Sequence, residues 1–249
     1  MLIIDAFAGA KGIMKSARRR GFRAWDFEIK DGPDGDLTSK QVQRRIRRAA
    51  KRGHIACMIM GPPCSSFSQA RNSSGRLRSP EHPRGLPERG TFSLLDQKRI
   101  RDGNATLDAA IFLVELCNEF KIPFAYENPH TSMMWSDPKL QRVLARAGAV
   151  HKVVSHCAFG APWRKNTTFA LGQVSECDFF GLCDDRFRCT GNGGHCSFQR
   201  GKHVQLGYPA AGGDPKKFAS TVGAAEYPPR LCSVLVRCLT SRLNFPRGA

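Results

Sequence analysis

No stretch of this chain approaches the roughly 20 consecutive apolar residues that a membrane-spanning helix needs, so no membrane role is expected. The opening residues, Met1-Leu2-Ile3-Ile4-Asp5, lack the basic region and long apolar run of a secretory signal. An intracellular, reducing setting is therefore expected, and disulfides are not. Internal repeats and low-complexity tracts are absent, which excludes solenoid and fibrous architectures. Acidic residues are scarce: 21 Asp and Glu stand against 39 Lys and Arg, leaving a net charge of +18. An imbalance of that size favours a polyanionic partner, most simply nucleic acid, without separating DNA from RNA. Nothing in the sequence signals an oligomer, and a monomer is expected.

What is there reads as one α/β unit. The 249 residues, 41% of them hydrophobic, suffice for one sizeable core with a small insertion. Apolar runs at 2–7, 22–29, 55–60, 123–126 and 149–155 read as strands. Helical patterns at 13–20, from the candidate cap Thr38 or Ser39 to Arg52, at 104–120 and at 138–146 alternate with them. Such alternation predicts a mostly parallel sheet with helices on both faces, a Rossmann-like arrangement. Residues 65–90 read as a long basic loop carrying Arg71, Arg76, Arg78, Arg84 and Arg89, which are expected to meet phosphates.

In a parallel sheet, ligands gather at the carboxyl ends of the strands. Three unusual turns should open there together: Ala8–Gly12, Gly61–Cys64 and Glu127–Pro129. Glycines in the first, Gly9 and Gly12, let backbone approach a cofactor, and Glu28 at the end of the second strand can accept from a ribose. The first turn lacks the terminal Lys-Ser/Thr of a phosphate-cradling loop, so it is not a nucleotide-triphosphate motif. Cys64 follows two prolines where a strand gives way to a polar loop. A thiolate there would be a strong nucleophile, whereas Cys57 and Cys117 sit on apolar segments and read as inert. Glu127 ends an apolar strand, where burial would raise its pKa and keep a proton available near neutrality. Asn128 beside it could fix the loop or bond a base.

At these residues the chain resembles the C5-cytosine DNA methyltransferases. Asp5-Ala-Phe-Ala-Gly-Ala-Lys-Gly12 resembles that family's first cofactor motif, and Gly61-Pro-Pro-Cys-Ser-Ser-Phe-Ser68 its nucleophile motif. Tyr126-Glu-Asn-Pro129 resembles its glutamate-asparagine motif, and Gly223-Ala-Ala-Glu-Tyr-Pro-Pro-Arg-Leu231 its last motif, which closes over the cofactor. The order matches and spans nearly the whole chain. The resemblance implies an S-adenosylmethionine-dependent methyltransferase acting on cytosine in DNA, with a related RNA enzyme or a non-catalytic nucleic-acid-binding protein as alternatives. It implies cofactor binding by Asp5, Phe7, Gly9, Gly12, Glu28, Asp36, Pro62, Ala225 and Glu226, and catalysis by Cys64, Glu127 and Asn128 with the basic pair Arg164 and Lys165. Thr167 stands where the family has a second arginine. The compact form resembles viral or mobile-element members.

The remaining signal is a cluster of cysteines. Cys183, Cys189, Cys196 and His203 are separated by five, six and six residues, and Cys177 or His195 could replace one of them. These are ligand types for tetrahedral structural zinc, although no C-x-x-C pair occurs. An insertion of about 50 residues with little apolar content needs such a staple to fold. The expected organisation is therefore a catalytic unit at 1–172, a zinc-binding recognition insertion at 173–222, and a segment at 223–249 returning to the catalytic unit.

Overall fold

The computed structural model describes residues 1–68, 76–174, 185–207, 218–219 and 223–243. Six strands form one sheet: β1 (Leu2–Ala6), β2 (Arg23–Phe27), β3 (Ile55–Met60), β4 (Phe124–Pro129), β5 (Val150–Ser155) and β6 (Asn166–Gly172). Their spatial order is β2-β1-β3-β4-β6-β5. The first four are mutually parallel, and β6 runs antiparallel to both β4 and β5. The fold is thus α/β with a mixed, mostly parallel sheet.

Burial explains which strands are central. Every residue of β1 and β3 is buried, as a strand covered on both faces requires. β2, at one edge, leaves Arg23 and Trp25 exposed, and β5, at the other, exposes Val150 and His151. Within the central strands, successive side chains enter opposite layers. Ile4, Ala6, Met58, Met60 and Tyr126 join one core. It is shared with helices α2 (Lys40–Lys51), α3 (Leu94–Phe120) and α4 (Pro138–Arg146). Ile3, Cys57, Ile59 and Ala125 join the other core, beneath α1 (Gly12–Arg19) and α5 (Pro229–Thr240). Helix α5 packs on α1 and against β3 and β4. No described helix is long and apolar enough to cross a membrane.

The strand register prepares the site. Ala6 pairs with Met60, and Met60 with Tyr126. The next residues along the three parallel strands, Phe7, Gly61 and Glu127, therefore arrive at one rim. The first two expected turns open there together, but the third, Glu127–Pro129, is not a turn: it is the second half of β4, paired with Phe169, Thr168 and Thr167, and it delivers Glu127 to the same rim as part of the strand.

Several sequence expectations need correction. Helix α3 begins at Leu94, ten residues before the expected start, because Ser93 caps it by accepting from the Asp96 N–H and Gly103 is tolerated inside. Strand β6 and helix α5 had not been anticipated. Ser39 stands at the N-cap of α2 but makes no side-chain cap bond. The Thr38 N–H and hydroxyl instead donate to Asp36. The stretch 76–90 is ordered around buried Leu77, Arg78 and Pro83, while Arg71 lies outside the described residues.

Candidate active site and metal cluster

Glu127 is buried and stands at the bottom of the crevice. Its Oε2 accepts a hydrogen bond from the Tyr227 hydroxyl at 2.9 Å, while Oε1 is buried with no protein partner. Burial raises its pKa above the usual carboxylate range, and the nearby Lys165 charge and the hydroxyls of Tyr227 and Thr167 pull part of the way back. Burial thus favours the protonated form, the form in which the group can donate to a substrate. Thr167, where an arginine was expected, is itself fully buried, and its neutral hydroxyl lowers the Glu127 pKa. Behind it stands His156, whose Nε2 lies 3.3 Å from Thr167 Oγ1. Burial, and then the Lys165 charge, push His156 down to about 3, so its ring is neutral near pH 7.

Cys64 is partly exposed at the end of β3. Burial and the neighbouring Glu127 charge raise its pKa, and Lys165 lowers it. Cys64 and Glu127 therefore lie within electrostatic reach of each other and of Lys165. Asn128 holds the loop through Nδ2, which donates to the Pro62 carbonyl at 3.0 Å and to the Glu127 carbonyl at 3.1 Å, while its Oδ1 is buried without a protein partner. Arg164 is turned elsewhere, donating to the Gly191 carbonyl at 3.1 Å, and does not join the cluster.

The loop after Cys64 is anchored by an arginine. Arg78, 1% exposed, donates to the Ser66 carbonyl and hydroxyl, the Pro83 and Ile100 carbonyls and Asn104 Oδ1. Burial and the Arg84 charge lower its pKa to about 10, which leaves it charged near neutrality. Arg84 pairs with Asp108 at 3.0 Å and with the buried Asp137 at 2.7 Å. Both arginines had been expected to meet phosphates. Both are instead committed to the protein, because a buried guanidinium must have its donors satisfied.

Beside this cluster opens a cavity of about 500 Å3. Of the expected cofactor residues, Asp5, Phe7, Gly9, Gly12, Ala225 and Glu226 line it, together with Gly61, Glu127 and Tyr227. Three others are not part of the lining. The Glu28 carboxylate accepts from the Gly9 N–H at 3.0 Å and the Lys30 N–H at 3.3 Å, so it shapes the first turn from behind. Asp36 is held by Thr38, and the Pro62 carbonyl by Asn128. Asp5 accepts from the Met14 N–H at the start of α1, and burial pushes its pKa up to about 7. Phe7 and Lys11 both have positive φ, at 61° and 58°, conformations that side chains other than glycine seldom adopt. Lys11 is held there by ion pairs with Asp26 and Asp31.

A second cluster could hold a metal ion. The ligand atoms of Cys157, Cys189, Cys196 and His203 all lie within 4.8 Å of one another. Cys183, expected in this set, and Cys177 lie outside the described residues. The donor that completes the described set is Cys157, on the turn just after β5. Spacing within the insertion could not reveal it, because it comes from the other side of β6. His195 is not in the cluster. His203 Nδ1 meets the Gly194 carbonyl at 2.9 Å, which turns Nε2 toward Cys189 at 3.6 Å. Such an outer bond fixes the tautomer of a metal-binding histidine. Burial raises the Cys189 pKa, but hydrogen bonds from the Ser197 hydroxyl and N–H outweigh it and bring the thiol down to about 6. Thiolate character at Cys189 suits it for a cation.

The residue that sequence reasoning missed is Tyr227. It lay within a motif noted for closing over a cofactor, and only the return of α5 to the sheet brings it to Glu127, 100 residues away. Neither protein-family models nor curated proteins give a match to this chain.

Proposed function

We propose that this chain transfers a methyl group from S-adenosylmethionine to carbon 5 of cytosine in DNA. The observation that carries the reading is the buried Glu127 carboxyl lining the same cavity as the first glycine turn, with the Cys64 thiol and Lys165 within electrostatic reach of it.

The cavity suits a cofactor of that size, since small-molecule sites are commonly about 300–1,000 Å3. Gly9, Gly12, Asp5 and Phe7 on one side and Ala225 and Glu226 on the other are the residues that would hold it. Glu28 has acceptor capacity left beyond its two backbone donors. When bound, S-adenosylmethionine would supply the electrophilic methyl group that carbon 5 takes up.

The chain's own residues supply the rest. Carbon 5 of cytosine is a poor nucleophile. Addition of the Cys64 thiolate to carbon 6 turns the ring into an enamine, with electron density at carbon 5. Glu127 hydrogen-bonds N3 through its protonated oxygen and offsets the charge that develops there. Lys165 favours the thiolate. Asn128 and Arg78 hold the Pro62–Phe67 loop so that the sulfur keeps its direction. Loss of the carbon 5 proton to water then breaks the sulfur–carbon 6 bond, returns the thiolate and restores the ring, with the demethylated cofactor, S-adenosylhomocysteine, as the other product. A base inside a duplex cannot reach this crevice, so it must be flipped out at a cost of about a few kcal/mol. The net charge of +18 supports attraction to the phosphate backbone.

The second cluster is proposed to bind structural zinc, since three thiols and an imidazole are a common tetrahedral set for that ion. In this position zinc would clamp residues 189–203 to the turn after β5.

Incubation with tritiated S-adenosylmethionine and either DNA or RNA tests the proposal. Wild type should label DNA as 5-methylcytosine, and Cys64→Ala should not. Label confined to RNA would replace the substrate, and label in neither from folded, cofactor-binding protein would end the enzyme reading.

A further inference from the structure

Glu127 has two inequivalent oxygens. Oε2 receives the Tyr227 hydroxyl at 2.9 Å, and Oε1 is buried without a partner. The Tyr227 side chain is partly buried, and desolvation and the Glu127 charge raise its pKa well above the usual phenol range, so it acts as a donor. With Oε2 acting as acceptor, the carboxyl proton belongs on Oε1, the oxygen left for a ligand. The pair fits closely beneath the backbone at Gly61. A Cβ there would lie 2.8 Å from the Tyr227 hydroxyl and 3.3 Å from Oε2. The tyrosine ring is steadied by His156 and Phe169, with ring centres 6.4 and 6.1 Å away.

We propose that Tyr227 is a positioning residue for methyl transfer, fixing the proton of Glu127 on Oε1 and stabilising the carboxylate as that proton passes to the base. This rests on the proposed cytosine chemistry. A hydrogen bond to a carboxylate is stronger than one to a carboxylic acid, so the donor gains strength as the proton leaves. Stabilisation that grows along the reaction accelerates it. The other groups facing Glu127 do not duplicate this role. Lys165 acts through charge, and the Thr167 hydroxyl makes its hydrogen bond with His156. The Tyr126 hydroxyl is directed to the Met134 sulfur at 3.3 Å.

The test compares wild type with Tyr227→Phe in the full chain, following kcat, KM and the pH dependence of kcat/KM. Removing a donor from the carboxylate raises the Glu127 pKa. If the protonated acid is required, activity is lost as pH rises through that pKa, so the alkaline limb of the variant should move to higher pH. The plateau kcat should fall on the order of 100-fold, with KM for DNA little changed. Replacing Tyr227 with 3,5-difluorotyrosine, a stronger donor of the same shape, should move the limb the other way. This second variant keeps the test open if the phenylalanine variant misfolds. Limbs that stay fixed in both variants overturn the inference, whatever the rate loss, since a structural role would not move them. A wild type without any methyl transfer would instead refute the underlying function and is read separately.

Discussion

The guanidinium carbon of Arg78 sits 3.8 Å from the ring centre of Phe67. The contact ties an arginine on one strand of the long loop to the third residue after Cys64, and it locates the main support of the nucleophile loop inside the protein. Leaving the acceptors on Ser66, Pro83, Asn104 and Ile100 without donors should cost Arg78→Met about 3 kcal/mol, or roughly 10 °C of Tm. Arg48, exposed on α2, should be replaceable by Met within about 0.5 kcal/mol. Thermal melting of the two variants checks this.

Gly103 gives a prediction whose sign is informative. Inside a helix, Gly→Ala ordinarily stabilises by about 1 kcal/mol. Here the new Cβ would stand 2.4 Å from Ser66 Oγ, 2.8 Å from Arg78 Nη2 and 3.1 Å from Phe67 Cε2. We expect Gly103→Ala to destabilise by about 1–3 kcal/mol and to lower methyl transfer, because the displaced atoms belong to the Cys64 loop. Denaturant titration and the tritium assay read the two effects.

The metal cluster is tested by stoichiometry. Zinc content measured by mass spectrometry should be about one ion per chain in wild type. It should fall well below that in Cys157→Ser and in Cys189→Ser, whose thiols are both donors of the described set. Chelation should lower Tm in wild type and leave Cys157→Ser unaffected.

Much of this was legible from residue order, and the exceptions share a cause. Local patterns located β3 and α4 to the residue, and the Pro62–Cys64 turn announced itself as a strand end, whereas Glu127 and Asn128, read as a turn, continue β4. Contacts between distant segments were not legible. Cys157 completes the metal set from the far side of β6, and Tyr227 reaches Glu127 across 100 residues. Arg78 read as a phosphate contact because composition reports charge and says nothing of burial. Strand β6 was hidden because Asn166-Thr-Thr-Phe was read for the basic residues before it and not for its β-branched and aromatic content.

Asp5 should make stability depend on pH. Its folded-state pKa of about 7 lies above the unfolded value of 3.8. The native state therefore binds the extra proton, and the associated stability is complete below the unfolded pKa and lost as pH rises through about 7. Wild-type Tm should fall between pH 5 and pH 8 by several degrees. Asp5→Asn, which still accepts from the Met14 N–H but cannot ionise, should flatten that fall. An equal fall in both proteins would remove Asp5 as the cause.

The role of the Cys64 sulfur is best measured by trapping it. DNA carrying 5-fluorocytosine at the target position cannot release a proton from carbon 5, so the sulfur–carbon 6 bond should persist after methyl transfer. Intact mass spectrometry of wild type with this DNA and S-adenosylmethionine should show a covalent protein–DNA species bearing one added methyl, with the linkage mapping to Cys64 and absent in Cys64→Ala. Methylation of ordinary cytosine by a wild type that forms no such species, or a linkage that survives Cys64→Ala, would contradict the assignment.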